Sequence, residues 1–137
     1  MEESIKIEEA IAKALKLEAV DPRTYSPLVL AYIGDAVYEL LIRTKVINHG
    51  SMQVNKMHKK SASLVKAETQ ANIIKAIQED LTEEELAVYK RGRNAKSATT
   101  AKHATMIDYR MATGFEALVG YLYLQARHDR LLELIRD

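Results

Sequence analysis

Hydrophobic residues recur at helical spacing along most of the chain, and no stretch sustains the strict polar–apolar alternation that a half-buried strand needs. Pro occurs only 2 times and Gly 5 times among 137 residues, so the helical pattern is seldom interrupted. The pattern predicts an all-α fold, a bundle of about seven helices. The expected helices cover roughly residues 4–17, 27–45, 52–59, 61–78, 82–90, 107–126 and 129–136, with residues 91–105 as a loop.

Two helix starts carry clear sequence signals. Ser26 precedes Pro27, and Ser at the N-cap with Pro at the first helical position is a favoured combination. Thr82 precedes Glu85 by three residues, the spacing of a capping box. Helices are therefore expected to begin at these two points.

Length and composition indicate one compact domain covering residues 1–137, with residues 1–21 as an N-terminal helix of unassigned role. The chain has no Cys, which excludes disulfides and thiolate metal sites. No apolar run reaches membrane-spanning length, and the first residues are charged rather than signal-like. A cytoplasmic protein with no membrane partner is expected.

The net charge of +1 conceals an uneven distribution of charge. Residues 40–67 contain six Lys and Arg and no acid, and residues 86–107 contain five and no acid. Two basic, acid-free stretches in a nearly neutral chain are consistent with a one-sided surface for a polyanion, or with two ordinary solvated faces.

Two carboxylates stand in otherwise apolar helices. Asp35 follows Gly34 in "AYIGDAVYELLIR", where Glu39 and Arg43 continue a polar stripe at spacing of four. Glu116 is the only charged residue from 111 to 126 and has no base one turn away. A buried carboxylate needs a partner, which is either a basic side chain from another helix or a divalent cation shared with Asp35. All-oxygen ligands favour Mg²⁺, with Mn²⁺ as a substitute, over Zn²⁺.

Two glycines accompany these acids. Gly34 adjoins Asp35, and Gly120 lies one turn after Glu116. A glycine lets another backbone or a phosphate come close, and plain helix–helix packing is an equally good explanation.

Four motifs in order resemble the ribonuclease III family. "AYIGDAVYELLIR" is similar to the signature helix of ribonuclease III catalytic domains, and "TGFEALVGYLYL" is similar to their second acidic helix. "VNKMHKKSASLVKAETQA" and "YKRGRNAKSATT" resemble the short branch called Mini-ribonuclease III, which lacks a double-stranded-RNA-binding domain. The resemblance covers about residues 28–124.

The resemblance implies an Mg²⁺-dependent endoribonuclease that cuts double-stranded RNA as a homodimer and gives 5′-phosphate products. It implies catalytic and metal-ligand roles for Asp35 and Glu116. Two further family acids are replaced here by Ala31 and Thr113, a depletion that is typical of the Mini branch and leaves the number of metals open. The branch is also associated with maturation of the 23S ribosomal RNA precursor.

RNA contacts are expected from the basic stretches, because A-form RNA is recognised mainly through its backbone and shape. His58 is expected as a polar contact rather than a metal ligand. The candidate RNA-binding residues are Lys56, His58, Lys59, Lys60, Lys90, Arg91, Arg93, Asn94 and Lys96.

Other functions fit less well. An all-α Mg²⁺-dependent nucleotide pyrophosphohydrolase would carry paired Glu-x-x-Glu and Glu-x-x-Asp motifs, which the long apolar helices lack. The "HD" at His128–Asp129 has no further spaced His or Asp to form an HD-type metal site. A catalytically weak or inactive RNA-binding scaffold of the same fold remains the alternative.

Overall fold

The computed structural model describes residues 7–49, 53–96 and 105–136. Within these ranges the chain forms helices and no strand, which confirms the all-α prediction. Two short 3-10 turns, Pro22–Thr24 and Gln78–Asp80, connect longer elements. The α-helices are α1 Ile7–Ala14, α2 Pro27–Asn48, α3 Val54–Val65, α4 Ala67–Ile77, α5 Glu83–Asn94, α6 Met106–Leu124 and α7 His128–Ile135.

The two predicted helix starts are confirmed. The Ser26 hydroxyl accepts a hydrogen bond from the Val29 backbone N–H at 3.3 Å and opens α2. The Thr82 hydroxyl accepts from the Glu85 backbone N–H at 3.1 Å, and the Glu85 carboxylate accepts from the Thr82 N–H at 2.9 Å. This reciprocal capping box opens α5.

Three expected boundaries were wrong. The break between α3 and α4 falls at Lys66, which has extended backbone angles, and not near residue 60, because Ser61 is buried inside a continuous helix. Helix α2 continues to Asn48, and α5 continues to Asn94, so residues 91–94 of the expected loop are helical. The rest of that loop falls mainly on residues 97–104, which lie outside the described ranges.

Helix α6 is the centre of the bundle. It packs against α2, α4 and α5 and has buried side chains around most of its circumference, which explains why its sequence is apolar on all sides. The main core joins residues of α2, α4, α5, α6 and α7. Its largest fully buried apolar members include Tyr38, Ile74, Tyr89, Phe115, Leu118 and Leu122.

Helix α1 lies at the edge of the bundle and buries no residue fully. Its Ile7 and Ile11 line a cavity of about 370 Å³ together with side chains of α2 and α7. Glu8 Oε2 lies 2.7 Å from Nε2 of His128 at the start of α7. Across the part of the chain that the structure describes, no helix combines the length and hydrophobicity needed to cross a bilayer.

Candidate active site

Two glycines bring α2 and α6 into direct backbone contact. A Cβ atom on Gly34 would lie 1.8 Å from the Glu116 carbonyl oxygen, and one on Gly120 would lie 2.1 Å from the Leu30 carbonyl oxygen. Any side chain at either position would force the helices apart. Both glycines are therefore explained by close helix–helix packing, in which the backbone of the other helix occupies the space that a phosphate would need.

This crossing places Asp35 next to Glu116. The two carboxyl groups lie within interaction range, and burial together with the neighbouring Asp35 raises the pKa of Glu116 to about 8. Among the described residues, the side chains that shift this pKa are Asp35 and Gln70, and neither is a base. Of the two expected partners, a basic side chain from another helix is not found beside Glu116 in the part of the chain that the structure describes.

The pair is less buried than the apolar sequence around it suggests. Glu116 is half-buried and Asp35 is exposed, because Asp35 lies on the side of α2 that faces away from the core. The expected polar stripe continues along that side, and Glu39 accepts a hydrogen bond from Arg43 Nη2 at 2.5 Å. Arg43 is thus engaged with Glu39, one turn beyond Asp35.

The geometry suits a divalent cation with few protein ligands. Asp35 and Glu116 present carboxylate oxygens, the ligand type that Mg²⁺ and Mn²⁺ prefer. In the described residues no third Asp, Glu or His joins them to form a larger cluster. With Ala31 and Thr113 at the other family positions, water and substrate phosphate oxygens would complete the octahedral shell that Mg²⁺ requires.

A buried carboxylate with basic partners does exist, but it lies elsewhere. Glu85 is fully buried and accepts hydrogen bonds from Arg130 Nε at 2.8 Å and Arg130 Nη2 at 2.7 Å. Arg127 Nη2 lies 3.6 Å away. The Arg130 hydrogen bonds hold the pKa of Glu85 below its usual value, against the effect of burial. The sequence predicted the capping role of Glu85 and missed this ion-pair cluster.

Sequence reasoning also missed two polar residues beside Glu116. Gln70 on α4 is 2% exposed, its amide donates to the Val65 carbonyl at 2.6 Å, and its proximity opposes the rise in the pKa of Glu116. Tyr38 on α2 is close enough for the Glu116 charge to contribute, after burial, to raising the pKa of Tyr38 to about 12. A signal for Gln70 was present, since it shares the buried stripe of α4 with Ile74 and Ile77.

The predicted RNA-binding residues near position 58 share one exposed helix. Lys56, His58, Lys59 and Lys60 all lie on α3, and all are exposed. His58 lines a cavity of about 120 Å³ between α2 and α3, beside Arg43.

The second basic segment lies on the last turn of α5 and just beyond it. Gly92 packs so tightly on α6 that a Cβ there would be 2.9 Å from Gly114 Cα. Gly114 precedes Glu116 by two residues on α6. The Arg93 guanidinium stands 5.6 Å from the Tyr89 ring centroid in a cation–π contact and is half-buried. The other candidates in this segment are exposed, namely Lys90, Arg91, Asn94 and Lys96.

Residues 28–127 match the model of the ribonuclease III domain, which is well over half of the chain. The chain belongs to the ribonuclease III family. This confirms the resemblance that the four motifs indicated.

Relatives named Mini-ribonuclease 3 match most of the sequence. One from Clostridium tetani is 55% identical over 85% of this chain and 78% of its own length, and one from Brevibacillus brevis is 48% identical over 85% and 87%. A crystal structure of a protein from Fusobacterium nucleatum superposes with a TM-score of 0.78 at 35% identity, covering 86% of this chain and 94% of the other.

Proposed function

We propose that this protein is an Mg²⁺-dependent endoribonuclease that hydrolyses phosphodiester bonds in double-stranded RNA. Membership of the ribonuclease III family supports the reaction class. The observation that carries the proposal is that Asp35 and Glu116 lie next to each other with no basic side chain between them in the described ranges of the chain. Two carboxyl groups held together in this way favour a bound cation, whereas a structural role would favour a basic partner such as Glu85 has.

Asp35 and Glu116 would hold the metal through their carboxylate oxygens. When bound, Mg²⁺ would supply activation of a water nucleophile and neutralisation of the charge that develops on the scissile phosphate. The crossing at Gly34 and Gly120 brings the backbones of α2 and α6 together and so places the two carboxylates side by side, because a side chain at either glycine would force the helices apart. Neither acid serves as a general acid in this proposal.

Two basic surfaces would bind the RNA backbone. The exposed Lys residues of α3 and the basic end of α5 carry positive charge without acidic neighbours in sequence, which suits phosphate contacts along an A-form duplex. The α5 segment joins α6 close to Glu116 through Gly92, so a phosphate held there would be near the carboxylate pair.

The enzyme is proposed to act as a homodimer. On α2, Leu30 and Tyr38 are buried within one chain. Apolar side chains of α2 nevertheless remain exposed, with Tyr32 at 82% and Leu40 at 62%. A second copy covering this face would bury them. Light scattering should give the mass of a dimer at micromolar concentration, and a monomer would contradict this part of the proposal.

Further details extend the resemblance to the Mini branch. The products would carry 5′-phosphates with short 3′ overhangs, and the natural substrate would be the 23S ribosomal RNA precursor. The relatives named Mini-ribonuclease 3 support this assignment by similarity.

The test is incubation with long duplex RNA, single-stranded RNA and duplex DNA, each with Mg²⁺ and with a chelator. We expect cleavage of duplex RNA alone, and only with Mg²⁺. Binding of duplex RNA without cleavage would instead identify an inactive scaffold of the same fold. Cleavage in the chelator would contradict the metal dependence.

A further inference from the structure

A cavity between the end of α2 and the middle of α3 is bordered by three basic side chains. Its volume is about 260 Å³, and it is lined by Lys45, Val46, His49, Lys60 and Leu64. Val46 is 3% exposed and Leu64 is half-buried, so these two form an apolar floor. The two lysines and His49 are exposed, and their polar ends are accessible to a ligand from solution.

The basic groups of this cavity have no acidic partner among the described residues. All five lining residues belong to the stretch 40–67, which contains no Asp or Glu and which includes the segment that joins α2 to α3. In the described ranges, neither Lys45 nor Lys60 nor His49 forms an ion pair with a carboxylate of another helix. Positive charge from two helices is therefore concentrated at one cavity, which suits an anionic ligand.

The stability of the fold does not require both lysines. Lys45 lies in the last turn of α2, where the helix dipole favours a cation. Lys60 lies in the interior of α3, and its charge is brought to the same cavity as that of Lys45, which like-charge repulsion disfavours. The methylene chain of a lysine can cover an apolar floor, but a methionine would do so without adding a second charge. A bound anion would remove the repulsion.

We propose that this cavity binds one phosphate group of the duplex-RNA backbone, held between Lys45 and Lys60 with His49 as a further donor. This inference rests on the proposed function, and it adds Lys45 and His49 to the RNA-binding residues expected from the sequence. Lys45 follows Asp35 by ten residues on the same helix, about 15 Å along its axis, so the bound phosphate is not the scissile one. Phosphate contacts fix the register of a duplex, and this contact positions the RNA relative to the carboxylate pair.

The test compares the double variant Lys45→Met, Lys60→Met with Lys75→Met. Met keeps a long apolar stem and removes the charge, and Lys75 is an exposed lysine in the last turn of α4 that does not line the cavity. Duplex-RNA affinity is measured in a chelator at several salt concentrations. We expect the double variant to bind about ten-fold more weakly, with a salt slope reduced by about 1 because one phosphate contact is lost. Lys75→Met should match the wild type. With Mg²⁺, the double variant should show a raised KM for RNA and an unchanged kcat.

Equal affinity and salt slope of the double variant and Lys75→Met would overturn the inference and leave the proposed function standing. A slope reduced by about 2 would also overturn it, since the two lysines would then contact separate phosphates. Failure of the wild type to bind duplex RNA would contradict the proposed function itself. Inorganic phosphate, titrated while the His49 imidazole is followed by NMR, tests the source of the anion. We expect duplex RNA to displace it from the cavity, and phosphate that RNA does not displace would assign the cavity to a free anion instead.

Discussion

Glu85 on α5 and Glu116 on α6 are both helix carboxylates at least partly removed from solvent, and their surroundings are opposite. Glu85 is fully buried between Thr82, Arg127 and Arg130, and its pKa is lowered. Glu116 faces Asp35, and its pKa is raised to about 8. The first arrangement satisfies a negative charge within the protein, whereas the second places two carboxyl groups side by side with no basic partner among the described residues.

This difference separates a carboxylate that serves the fold from one available for chemistry. Arg130 connects α7 to α5 through Glu85, and it also donates to the Asp80 carbonyl at 2.7 Å. Asp35 and Glu116 lie close together but form no ion pair between α2 and α6. The backbones of these two helices already contact each other at Gly34 and Gly120. A carboxylate whose pKa is raised by burial and by a neighbouring acid, as that of Glu116 is, is typical of functional sites.

The rate of RNA cleavage should distinguish Glu85 from Glu116 most strongly. Asp35→Asn and Glu116→Gln should each lower the rate of duplex-RNA cleavage by orders of magnitude, because both the positioning and the charge stabilisation given by the metal depend on these groups. Glu85→Gln should retain the rate per folded molecule. Rates are compared at one temperature below all the melting transitions. Full activity of Glu116→Gln, or loss of activity in folded Glu85→Gln, would reverse the two roles.

The free energy of unfolding should change in the opposite way, falling in the Glu85 variant and not in the Glu116 variant. Glu85→Gln leaves Arg130 and Arg127 without their carboxylate and should lower the free energy of unfolding by about 3 kcal/mol. Glu116→Gln relieves repulsion with Asp35 and should melt at or above the wild-type temperature in the absence of Mg²⁺. Urea denaturation in a chelator measures both. A destabilised Glu116→Gln beside an unaffected Glu85→Gln would contradict the comparison.

The two carboxylates should also give opposite pH dependence. The folded-state pKa of Glu85 is depressed, so its contribution is present above its unfolded pKa of about 4.5 and is lost as the pH falls through the folded value. The folded-state pKa of Glu116 is raised, so its contribution is complete below about pH 4.5 and is lost as the pH rises through about 8.

Between pH 4.5 and 8, metal-free wild type should therefore lose on the order of a few kcal/mol relative to Glu116→Gln. The difference in unfolding free energy between these two proteins removes the contributions of all groups that they share. Unfolding free energies at several pH values in a chelator provide the curves. Parallel curves would show that Glu116 ionises normally.

The smallest expected effect concerns the basic end of α5. Replacing Arg91, Arg93 and Lys96 by Ala should weaken duplex-RNA affinity and flatten its salt dependence, by a slope of up to about 1 for each lost phosphate contact. Arg93 also packs on Tyr89, so Arg93→Lys keeps the charge while altering that contact and serves as the control. An unchanged salt slope in the triple variant would exclude this segment from the RNA interface.

The sequence predicted most of the fold because local signals agreed with packing. Helical periodicity gave the helices, and the caps at Ser26 and Thr82 formed as expected. The α3–α4 boundary was missed because its break at Lys66 is stabilised by distant side chains, Tyr38 among them, which local sequence does not reveal.

The candidate site was predictable for a different reason. An isolated charge in an apolar helix needs a partner, and this requirement singles out Glu116, with Asp35 as the candidate to share a cation with it. What the sequence could not provide is which carboxylate meets an arginine. Glu85 and Arg130 are 45 residues apart, and they meet only in the folded chain, where α5 and α7 both pack on α6.

The central claim is that Asp35 and Glu116 hold a divalent cation, and thermal melts with and without Mg²⁺ test it most directly. At a Mg²⁺ concentration of about 100 times Kd, wild type and Glu85→Gln should each gain about 2.7 kcal/mol by mass action, and a chelator should remove the gain. Asp35→Asn and Glu116→Gln should gain much less. Equal gains in all four proteins, or a gain in none, would contradict the claim.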